Sequence, residues 1–212
     1  MGVSRKQAVE NRRAIIDAAT LLFRERGVDG VGVAELMKAA GFTQGGFYNH
    51  FASKADLVTE VVAAALTDTG EELAQALDRP VVGGQQPLDR QIAYYLSQGH
   101  RDDVDHGCAV AGFASDVARL DPSAQTLFAQ GLDWTFDKLA SLIAVSEPGA
   151  PPPRTRAIAL YAEMVGALVL SRSIAGADRA LADEILAETR RHLLAASPST
   201  EAADGAQAAS AR

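Results

Sequence analysis

The 212-residue sequence predicts an all-α protein with a small N-terminal helical module and a larger helical body. Two observations lead to this fold class. Apolar residues recur three and four positions apart along most of the chain, and the β-branched residues lie inside these helical patterns. Charge is divided as well: residues 1–54 carry eight basic and five acidic side chains, a net charge of +3, which leaves −10 for the rest of a chain whose total is −7. A basic segment on an acidic body is typical of a module that faces nucleic acid, joined to one that does not.

Composition excludes several classes of protein. The single cysteine, Cys108, rules out an internal disulfide bond and fits a reducing compartment. The polar start of the chain lacks the apolar core of a secretion signal, and no apolar run reaches the roughly 18 residues of a membrane span. We therefore expect a cytoplasmic protein with no membrane partner.

The first helix is expected from about Ala8 to Arg26, and Gly27 ends it. Before it, residues 1–7 are interpreted as a basic arm that either reaches DNA phosphates or is simply a solvated tail. The role of the helix is structural, because its apolar side covers the segments that follow. Its apolar positions are Ile15, Ala18, Ala19, Leu22 and Phe23.

Two short helices separated by a tight turn follow. Residues 33–40 have apolar positions at helical spacing, Gly41 ends that helix, and Thr43 is a plausible N-cap of the next one. This arrangement is a helix-turn-helix, in which the second helix lies in the DNA major groove. Gly45 and Gly46 each cost about 1 kcal/mol against alanine inside a helix, which suggests that a phosphate or a base edge approaches the backbone closely. The alternative is a loop that merely turns.

The residues around this turn resemble a known family. The run Ala40-Gly41-Phe42-Thr43, Phe47-Tyr48-Asn49-His50-Phe51, Lys54 and Leu57 is similar to the DNA-binding signature of the tetracycline-repressor (TetR) family of bacterial transcriptional regulators. The upstream Ile15-Ile16-Asp17-Ala18-Ala19, Leu22-Phe23 and Gly27 resemble the first helix of that family. The resemblance covers about the first quarter of the chain. One departure is Gly32, where the family usually has Thr or Ser; glycine is an acceptable N-cap, so the departure concerns one phosphate contact and not the fold.

The resemblance implies which residues of the second short helix face DNA. Gln44 can form two hydrogen bonds with an adenine edge, whereas Tyr48 and His50 are expected to hold phosphates. Phe47 and Phe51 are expected to pack inward. No second ligand lies at a helical spacing from His50, so no metal site is predicted. The predicted DNA-binding residues are Thr43, Gln44, Gly45, Gly46, Tyr48, Asn49, His50 and Lys54.

A long helix, from residues 52–56 to about Leu77, is expected to connect the module to the body. Ser53 is its predicted N-cap, with Asp56 three residues later. Lys54 lies in the first turn, where a cation does not favour the helix dipole, and this suggests a phosphate contact. The predicted domains are residues 1–54 for DNA binding, 55–196 for effector binding and dimerisation, and 197–212 as a disordered tail.

The rest of the body is predicted to be helices and short connections. Residues 79–87 are interpreted as a loop, 101–106 as irregular and 148–153 as a linker. The helix that begins at Gly107 has small and apolar residues on much of its surface and is expected to be buried. The predicted helices are Leu88–Gly99, Gly107–Leu120, Pro122–Val145, Arg154–Ile174 and Ala180–Ala195, with these ends approximate.

The TetR resemblance implies that this body binds a small-molecule effector. At each aromatic position the alternative is a plain core residue, since most aromatic residues of a helical body are core. The polar tips of tyrosine and tryptophan need a partner, which makes them better candidates than phenylalanine. The predicted effector-binding residues are Tyr95, Cys108, Phe113, Trp134 and Tyr161.

Cys108 is also a candidate thiol sensor. It lies at the predicted N-terminus of a helix, after His106 and Gly107, where helix amides and an imidazolium would raise the reactivity of a thiol. The segment that carries Gly107-Cys108, Val117-Ala118 and Leu120 resembles a TetR subgroup that includes electrophile-sensing repressors. The alternative is a buried, inert cysteine.

The last two helices are more apolar than one core needs, and Ala157, Gly166 and Ala167 allow close approach of a neighbouring helix. This pattern indicates a two-fold dimer through a four-helix bundle, although Gly166 alone could be a packing glycine. The sequence thus predicts a homodimeric repressor, without cofactor or metal, that binds a palindromic double-stranded DNA operator and is released by a small-molecule effector.

Two other functions fit the sequence less well. An enzyme could use His100, His106 and His192, but no nucleophile–base pair and no metal-ligand spacing supports catalysis, so no catalytic residue is predicted. A non-specific DNA protein needs many basic contacts, which the net charge of −7 disfavours.

Overall fold

A computed structural model describes residues 4–78, 86–146 and 153–195, and all regular structure within these ranges is helical, which confirms the predicted all-α class. The predicted loop 79–87, the predicted linker 148–153 and the predicted disordered tail lie wholly or largely outside the described residues. The helices are α1 Arg5–Arg26, α2 Val33–Ala39, a 3-10 helix Gln44–Asn49, α3 Lys54–Asp78, α4 Pro87–Tyr95, α5 Gln98–Asp102, α6 Ala109–Val117, α7 Pro122–Ser146, α8 Pro153–Ile174 and α9 Arg179–Ala195.

The N-terminal module packs α1, α2 and the 3-10 helix around an apolar core. Gly27 after α1 and Gly41 after α2 have φ angles of 72° and 83°. These left-handed conformations favour glycine, which explains both predicted helix ends. The core residues, each exposed by 1% or less, include Ile15, Ala19, Phe23, Leu36, Met37 and Phe47.

The first helix begins at Arg5, earlier than predicted. The Ser4 hydroxyl accepts a hydrogen bond from the Gln7 backbone N–H at 3.1 Å and caps the helix. The arm expected over residues 1–7 is therefore helical from Arg5 onward, while residues 1–3 lie outside the described chain.

The second short helix, Gln44–Asn49, is a 3-10 helix and not an α-helix. Its hydrogen bonds join residues three apart, as from the Gly46 N–H to the Thr43 carbonyl at 3.0 Å. Thr43 occupies the predicted N-cap position, although its hydroxyl makes no capping hydrogen bond. Two glycines in six residues weaken an α-helix, and the tighter winding is tolerated because the element is short.

The long helix α3 is shared by both parts of the molecule. The Ser53 hydroxyl accepts a hydrogen bond from the Asp56 N–H at 3.1 Å, as predicted for the cap. Along its length, α3 packs against α1 of the module and against α4, α6 and α7 of the body. The predicted division between residues 54 and 55 therefore falls in the first turn of a common helix, and it stays a prediction.

The polar segment expected to be irregular contains part of the short helix α5. Arg101 is only 1% exposed, and its guanidinium forms ion pairs with Asp102 at 2.8 Å and with Asp183 at 2.5 Å. The pair with Asp183 joins α5 to α9. Polar composition concealed a buried element here, because a charged side chain can be buried when it is paired.

Among the described residues, α8 is the helix that is long and apolar enough to cross a membrane by length and composition. A core helix of a folded protein meets the same criterion, and α8 packs against α7 and α9. Its uninterrupted apolar runs are shorter than the roughly 18 residues of a membrane span, because charged residues lie between them. Its buried residues are Ala157, Leu160, Tyr161, Met164, Ala167, Leu168 and Ser171.

Candidate nucleic-acid interface and effector cavity

The outer side of the 3-10 helix carries the predicted DNA-binding residues. Phe47 is fully buried and Phe51 is 2% exposed, so both phenylalanines pack inward as predicted. Tyr48 is 72% exposed although it is aromatic. Of the other predicted contacts, Gly46, His50 and Lys54 are half-buried, and the rest are exposed. We call the exposed set the recognition surface: Thr43, Gln44, Gly45, Tyr48 and Asn49.

The two glycines of the 3-10 helix are not required by the fold of the chain itself. Neither has a positive φ angle. A Cβ atom at Gly45 would meet nothing within 4 Å, and one at Gly46 would lie 3.7 Å from Met37 Cε, an ordinary contact. Internal packing therefore does not explain the glycines, whereas close approach of an external molecule would.

Arg12 of α1 holds the end of the recognition surface. Its guanidinium lies 4.2 Å from the centroid of the Phe51 ring, donates to the His50 carbonyl and forms an ion pair with Glu60 of α3. Phe47 and Phe51 stack with 5.6 Å between their ring centroids. These contacts fix the element against α1 and α3, so the surface is pre-organised.

Lys54 has an internal partner. Its Nζ donates to the Val28 carbonyl at 2.6 Å and lies 5.8 Å from the centroid of the Phe23 ring. The ammonium therefore joins the start of α3 to the turn after α1. An ammonium has three N–H donors, so this bond is compatible with a phosphate contact, which stays a prediction.

The body contains a cavity of about 540 Å³ bounded by α3, α4, α7, α8 and the segment between α5 and α6. One part of its wall is aromatic and apolar, and another carries charged and amide groups. A cavity of this volume and mixed lining suits a small organic molecule. The lining residues are Thr69, Glu72, Leu73, Gln75, Ala76, Arg90, Gln91, Tyr94, Tyr95, His100, Asp103, His106, Cys108, Thr135, Leu139, Tyr161 and Met164.

The cavity brings together three of the five predicted effector-binding residues, Tyr95, Cys108 and Tyr161. Phe113 and Trp134 do not line it. Phe113 is 1% exposed and belongs to the hydrophobic core instead. Trp134 is 38% exposed and packs instead on α3, where a Cβ at Gly70 would lie 3.3 Å from its ring. Helical periodicity places such residues on a helix but does not tell which neighbour they face.

Cys108, His100 and Tyr95 form a chain of hydrogen bonds. The Cys108 backbone N–H donates to His100 Nε2 at 3.2 Å, so this nitrogen must be the acceptor. His100 Nδ1 then carries the proton and donates to the Tyr95 carbonyl at 2.8 Å. Burial lowers the pKa of His100, which agrees with a neutral imidazole in this role.

The two buried tyrosines differ in how their hydroxyls are satisfied. The Tyr161 hydroxyl lies 3.4 Å from Cys108 Sγ, whereas the buried Tyr95 hydroxyl is near the same sulfur but makes no hydrogen bond of acceptable geometry among the described residues. Burial raises the pKa of both phenols well above the ordinary value, so both stay protonated. Tyr95 therefore offers a hydrogen-bond donor without an acceptor in the wall of the cavity.

Sequence reasoning missed most of the polar wall of the cavity. His100, Asp103 and His106 come from the segment between α4 and α6, while Glu72 and Arg90 come from α3 and α4. Glu72 and Arg90 are too far in sequence from His100, Asp103 and His106 for the whole set to form one motif. Their available signal was a polar stretch between apolar helices, which indicates either solvent or a polar site. Within the described ranges, no group of three or more His, Cys, Asp or Glu side chains could hold a metal ion.

Comparison with known proteins bears first on the N-terminal module. A family model described as "Bacterial regulatory proteins, tetR family" matches residues 15–61, from α1 into α3. The HTH-type transcriptional regulator AcrR of Shigella flexneri is 38% identical over 68 residues, which are 32% of this chain and 32% of AcrR. An uncharacterized HTH-type transcriptional regulator of Mycobacterium tuberculosis is 28% identical over 172 residues, covering 76% of this chain and 84% of that protein.

Solved structures resemble the whole architecture. The reduced form of NemR from E. coli gives a TM-score of 0.73 at 22% identity and covers 90% of this chain and 100% of NemR. A TetR transcriptional regulator from Chloroflexus aurantiacus gives a TM-score of 0.73 at 20% identity and covers 89% of this chain and 94% of that one. At these identities the likeness is one of fold. The alignment with AcrR spans 32% of the length of that relative.

Proposed function

We propose that this chain, a member of the TetR family of bacterial transcriptional regulators, is a homodimeric repressor. In this proposal the dimer binds a palindromic operator and leaves it when a small-molecule effector binds to the protein. Its relatives are transcriptional regulators, in line with the expectation that it is not an enzyme. The observation that carries the proposal is the recognition surface, whose residues are exposed while Phe47 of the 3-10 helix and Phe51 after it are buried. We place this activity in the cytoplasm, where bacterial DNA lies.

We assign base reading to Gln44 and phosphate binding to Tyr48 and His50. The Gln44 side chain is exposed on the first turn of the 3-10 helix, and a planar amide pairs with an adenine edge through two hydrogen bonds. Tyr48 is exposed and His50 lies at the end of the recognition surface, so both are placed to contact the phosphates of the DNA backbone beside the bases. Gly45 and Gly46 allow the DNA to approach, and Thr43, Asn49 and Lys54 complete the proposed contact.

The proposed dimer forms through α8 and α9. Ile158, Val169 and Leu170 on α8 are 41%, 41% and 59% exposed, and Leu181 on α9 is 45% exposed. Large apolar side chains gathered on two adjacent helices favour burial by a second copy of the chain.

The small residues of α8 divide between the core and this proposed interface. Ala157 and Ala167 are buried inside the chain's own core. A Cβ at Gly166 would meet nothing within 4 Å, so this glycine serves no packing within one chain. Gly166 is therefore the member of the predicted set that suits close approach of a partner helix.

The proposed effector has an apolar body and a hydrogen-bond acceptor. The acceptor would take the unpartnered hydroxyl hydrogen of Tyr95, and the body would contact Leu139, Met164 and Tyr161. In one conformer of the dimer the two recognition surfaces match the spacing of the operator half-sites, and in another they do not. An effector that binds the second conformer more tightly shifts the population toward it and lowers the affinity for DNA.

Thiol sensing through Cys108 is a second candidate mode of induction. Cys108 lines the cavity, and its sulfur lies 3.4 Å from the Tyr161 hydroxyl. The cysteine is 4% exposed, which supports the alternative of an inert core residue unless a reagent enters through the cavity.

The DNA assignment is tested by selecting a duplex from a random library and measuring its affinity at several salt concentrations. Gln44→Ala should reduce discrimination among base pairs at one position, while Lys54→Ala should weaken binding to all sequences and flatten the salt dependence. Gln125→Ala, an exposed glutamine of α7, is the matched control. Unchanged selectivity and unchanged salt dependence in the two test variants would refute the assignment.

The dimer is tested by sedimentation of the full-length chain. Leu170→Glu should shift the chain toward monomer and weaken operator binding, because a charge would be buried at the interface. Leu21→Glu alters an exposed leucine on α1 and should remain dimeric. A monomeric wild-type chain at micromolar concentration would contradict the proposed homodimer.

The sensor is tested with N-ethylmaleimide, whose double bond adds the thiol of Cys108, the single cysteine of the chain. Intact-protein mass spectrometry should show one adduct on Cys108 as the selected duplex is released, and Cys108→Ser should abolish both the adduct and the release. Release of the duplex from Cys108→Ser, or retention of it by the fully modified chain, removes the sensing role.

A further inference from the structure

The segment Asp103–Cys108, which we call the wall segment, separates two cavities. Asp103, His106 and Cys108 line the main cavity. Asp105 and His106 line a second cavity of about 330 Å³, which α1 and α3 complete. The wall segment lies between α5 and α6 and belongs to neither, so its position depends on side chains from other elements.

Arg24, in the last turn of α1, bonds the wall segment to the DNA-binding module. Its Nη1 donates to the Asp105 carbonyl at 2.5 Å and lies 3.5 Å from the Val104 carbonyl. Its guanidinium lies 5.8 Å from the centroid of the Phe113 ring on α6. A helix of the module is thus hydrogen-bonded directly to the wall of the effector cavity.

Within the described chain, the Arg24 guanidinium has few hydrogen-bond acceptors apart from the carbonyls of the wall segment. The side chain is half-buried, and its Nε atom is buried without a hydrogen-bond partner among the described residues. Burial lowers the pKa of Arg24, but a guanidinium stays charged at neutral pH. Because the Arg24 Nε–H already lacks an acceptor, loss of the carbonyl acceptors of its Nη1 would leave a partly buried cation with still fewer hydrogen bonds, which is costly in free energy.

Arg172 of α8 holds the same region from the body. Its Nη2 donates to the carbonyls of His100 at 2.8 Å and Asp103 at 3.2 Å, and its Nε donates to the Arg101 carbonyl at 3.0 Å. Gly107 lies against this guanidinium. A Cβ there would clash with Arg172 Nη2 and lie 2.6 Å from the Asp103 carbonyl oxygen, so the segment has no room for a side chain at this position.

We propose that Arg24 couples the effector cavity to the recognition surface through its hydrogen bonds to the wall segment. The inference rests on the proposed function and names the route of regulation. An effector that displaces the wall segment withdraws its carbonyls from Arg24, and the end of α1 then loses its attachment to the body. Because α1 also holds the recognition surface through Arg12, a change in α1 reaches the DNA-binding side. Linkage requires that operator binding change effector affinity by the same factor.

The test displaces the wall segment without any effector. Gly107→Ala places a methyl group where none fits, so the segment must move. We expect this substitution to change the affinity of the full-length chain for the selected duplex by about fivefold or more. In an Arg24→Gln background, Gly107→Ala should change the logarithm of the duplex affinity by less than about half as much, because the hydrogen bonds from Arg24 to the wall segment are missing.

Arg13→Gln provides the matched control background. Arg13 lies on the same helix and pairs with Asp17 at 2.8 Å and Asp68 at 3.7 Å, without a hydrogen bond to the wall segment. The full effect of Gly107→Ala should persist there. An equal effect in the wild-type and Arg24→Gln backgrounds overturns the proposal, and so does a folded Gly107→Ala chain with unchanged affinity.

Two further measurements keep the outcome decisive. If Gly107→Ala prevents folding, Arg172→Gln takes its place in the same cycle, since it removes the hydrogen bonds that hold residues 100–103. Hydrogen exchange of the backbone amides of residues 24–28 can be measured without DNA. Gly107→Ala or Arg172→Gln should speed this exchange when Arg24 is present and should leave it unchanged in the Arg24→Gln background. Failure of the unmodified chain to bind any duplex would refute the proposed function, while an exchange response independent of Arg24 would refute the coupling alone.

Discussion

The recognition surface and the cavity of the helical body use the same kinds of residue in opposite ways. On the 3-10 helix, Tyr48 is 72% exposed while its neighbour Phe47 is fully buried. Around the cavity, Tyr95 and Tyr161 are 5% and 6% exposed. Groups on the outside can meet a partner as large as a duplex, whereas groups around an internal space can meet only a molecule small enough to be enclosed.

The two regions also differ in how their polar groups are satisfied. Exposed groups such as Gln44 can bond to water until a partner replaces it. Buried groups must find partners inside the protein, as His100 does with the Tyr95 carbonyl and the Cys108 amide. A polar substitution should therefore affect binding at the recognition surface and stability at the cavity.

Phe47→Ala should have the largest effect, because it breaks the support of the recognition surface. Removing a fully buried phenylalanine lowers the free energy of unfolding by about 3–5 kcal/mol. Chemical denaturation of the full-length chain measures the loss, and operator binding should fall with it. Phe47→Leu, which keeps most of the apolar volume, should lose clearly less stability; equal losses would show that the ring is not packed as described.

Tyr48→Ala should separate binding from folding at the adjacent position. The exposed side chain contributes little to stability, so the free energy of unfolding should stay within about 0.5 kcal/mol of the wild type. Affinity for the selected duplex should fall by about tenfold, or 1.4 kcal/mol. A loss of stability comparable to that of Phe47→Ala would contradict the assignment of this residue to the outer surface.

Two tyrosine-to-phenylalanine substitutions in the cavity should differ in their effect on the free energy of unfolding. Tyr161→Phe removes a hydroxyl that contacts Cys108 Sγ at 3.4 Å and should cost about 0.5–1.5 kcal/mol of stability. Tyr95→Phe removes a buried hydroxyl without a partner and should leave stability unchanged or raise it by up to about 1 kcal/mol. Thermal unfolding under identical conditions compares them, and a larger loss for Tyr95→Phe would reverse the assignment of the free donor.

The smallest effect expected is a change in the pH dependence of stability. Burial lowers the folded-state pKa of His100, so the unfolded chain binds a proton more readily than the folded one. The contribution of neutral His100 is therefore present above the unfolded pKa of about 6.5 and is lost as the pH falls toward the folded pKa. His100→Gln should reduce the slope of unfolding free energy against pH in that window, whereas His192→Gln, on an exposed position, should not. An unchanged slope in His100→Gln would mean that His100 does not lose its neutral role in acid.

Much of the N-terminal module could be predicted from the sequence. Gly27 and Gly41 were expected to end helices, and both have the positive φ angles that make glycine favourable there. Ser53 was expected to cap α3, and it does. Such features depend on residues within one or two turns of each other, so local sequence contains the information. The 3-10 winding of Gln44–Asn49 was not predicted, because propensities describe the cost of an α-helix but not the geometry that replaces it.

The cavity could be predicted only in part. Tyr95, Cys108 and Tyr161 meet around it, yet Trp134 from the same set packs on α3 instead. Arg101 was assigned to an irregular polar segment and is instead buried in ion pairs. Burial of a polar or aromatic side chain depends on which distant helix lies opposite, and the spacing of residues along one helix does not specify that partner.

The sequence by itself determined the helical class, because periodicity depends on near neighbours in the chain, and it contained the family resemblance that implied which residues form the recognition surface. Tertiary structure decided which side chains enclose the cavity and which arginines hold its wall. Arg24 and Asp105 are 81 residues apart, and their hydrogen bond exists because α1 and the wall segment are packed together by the core that surrounds them.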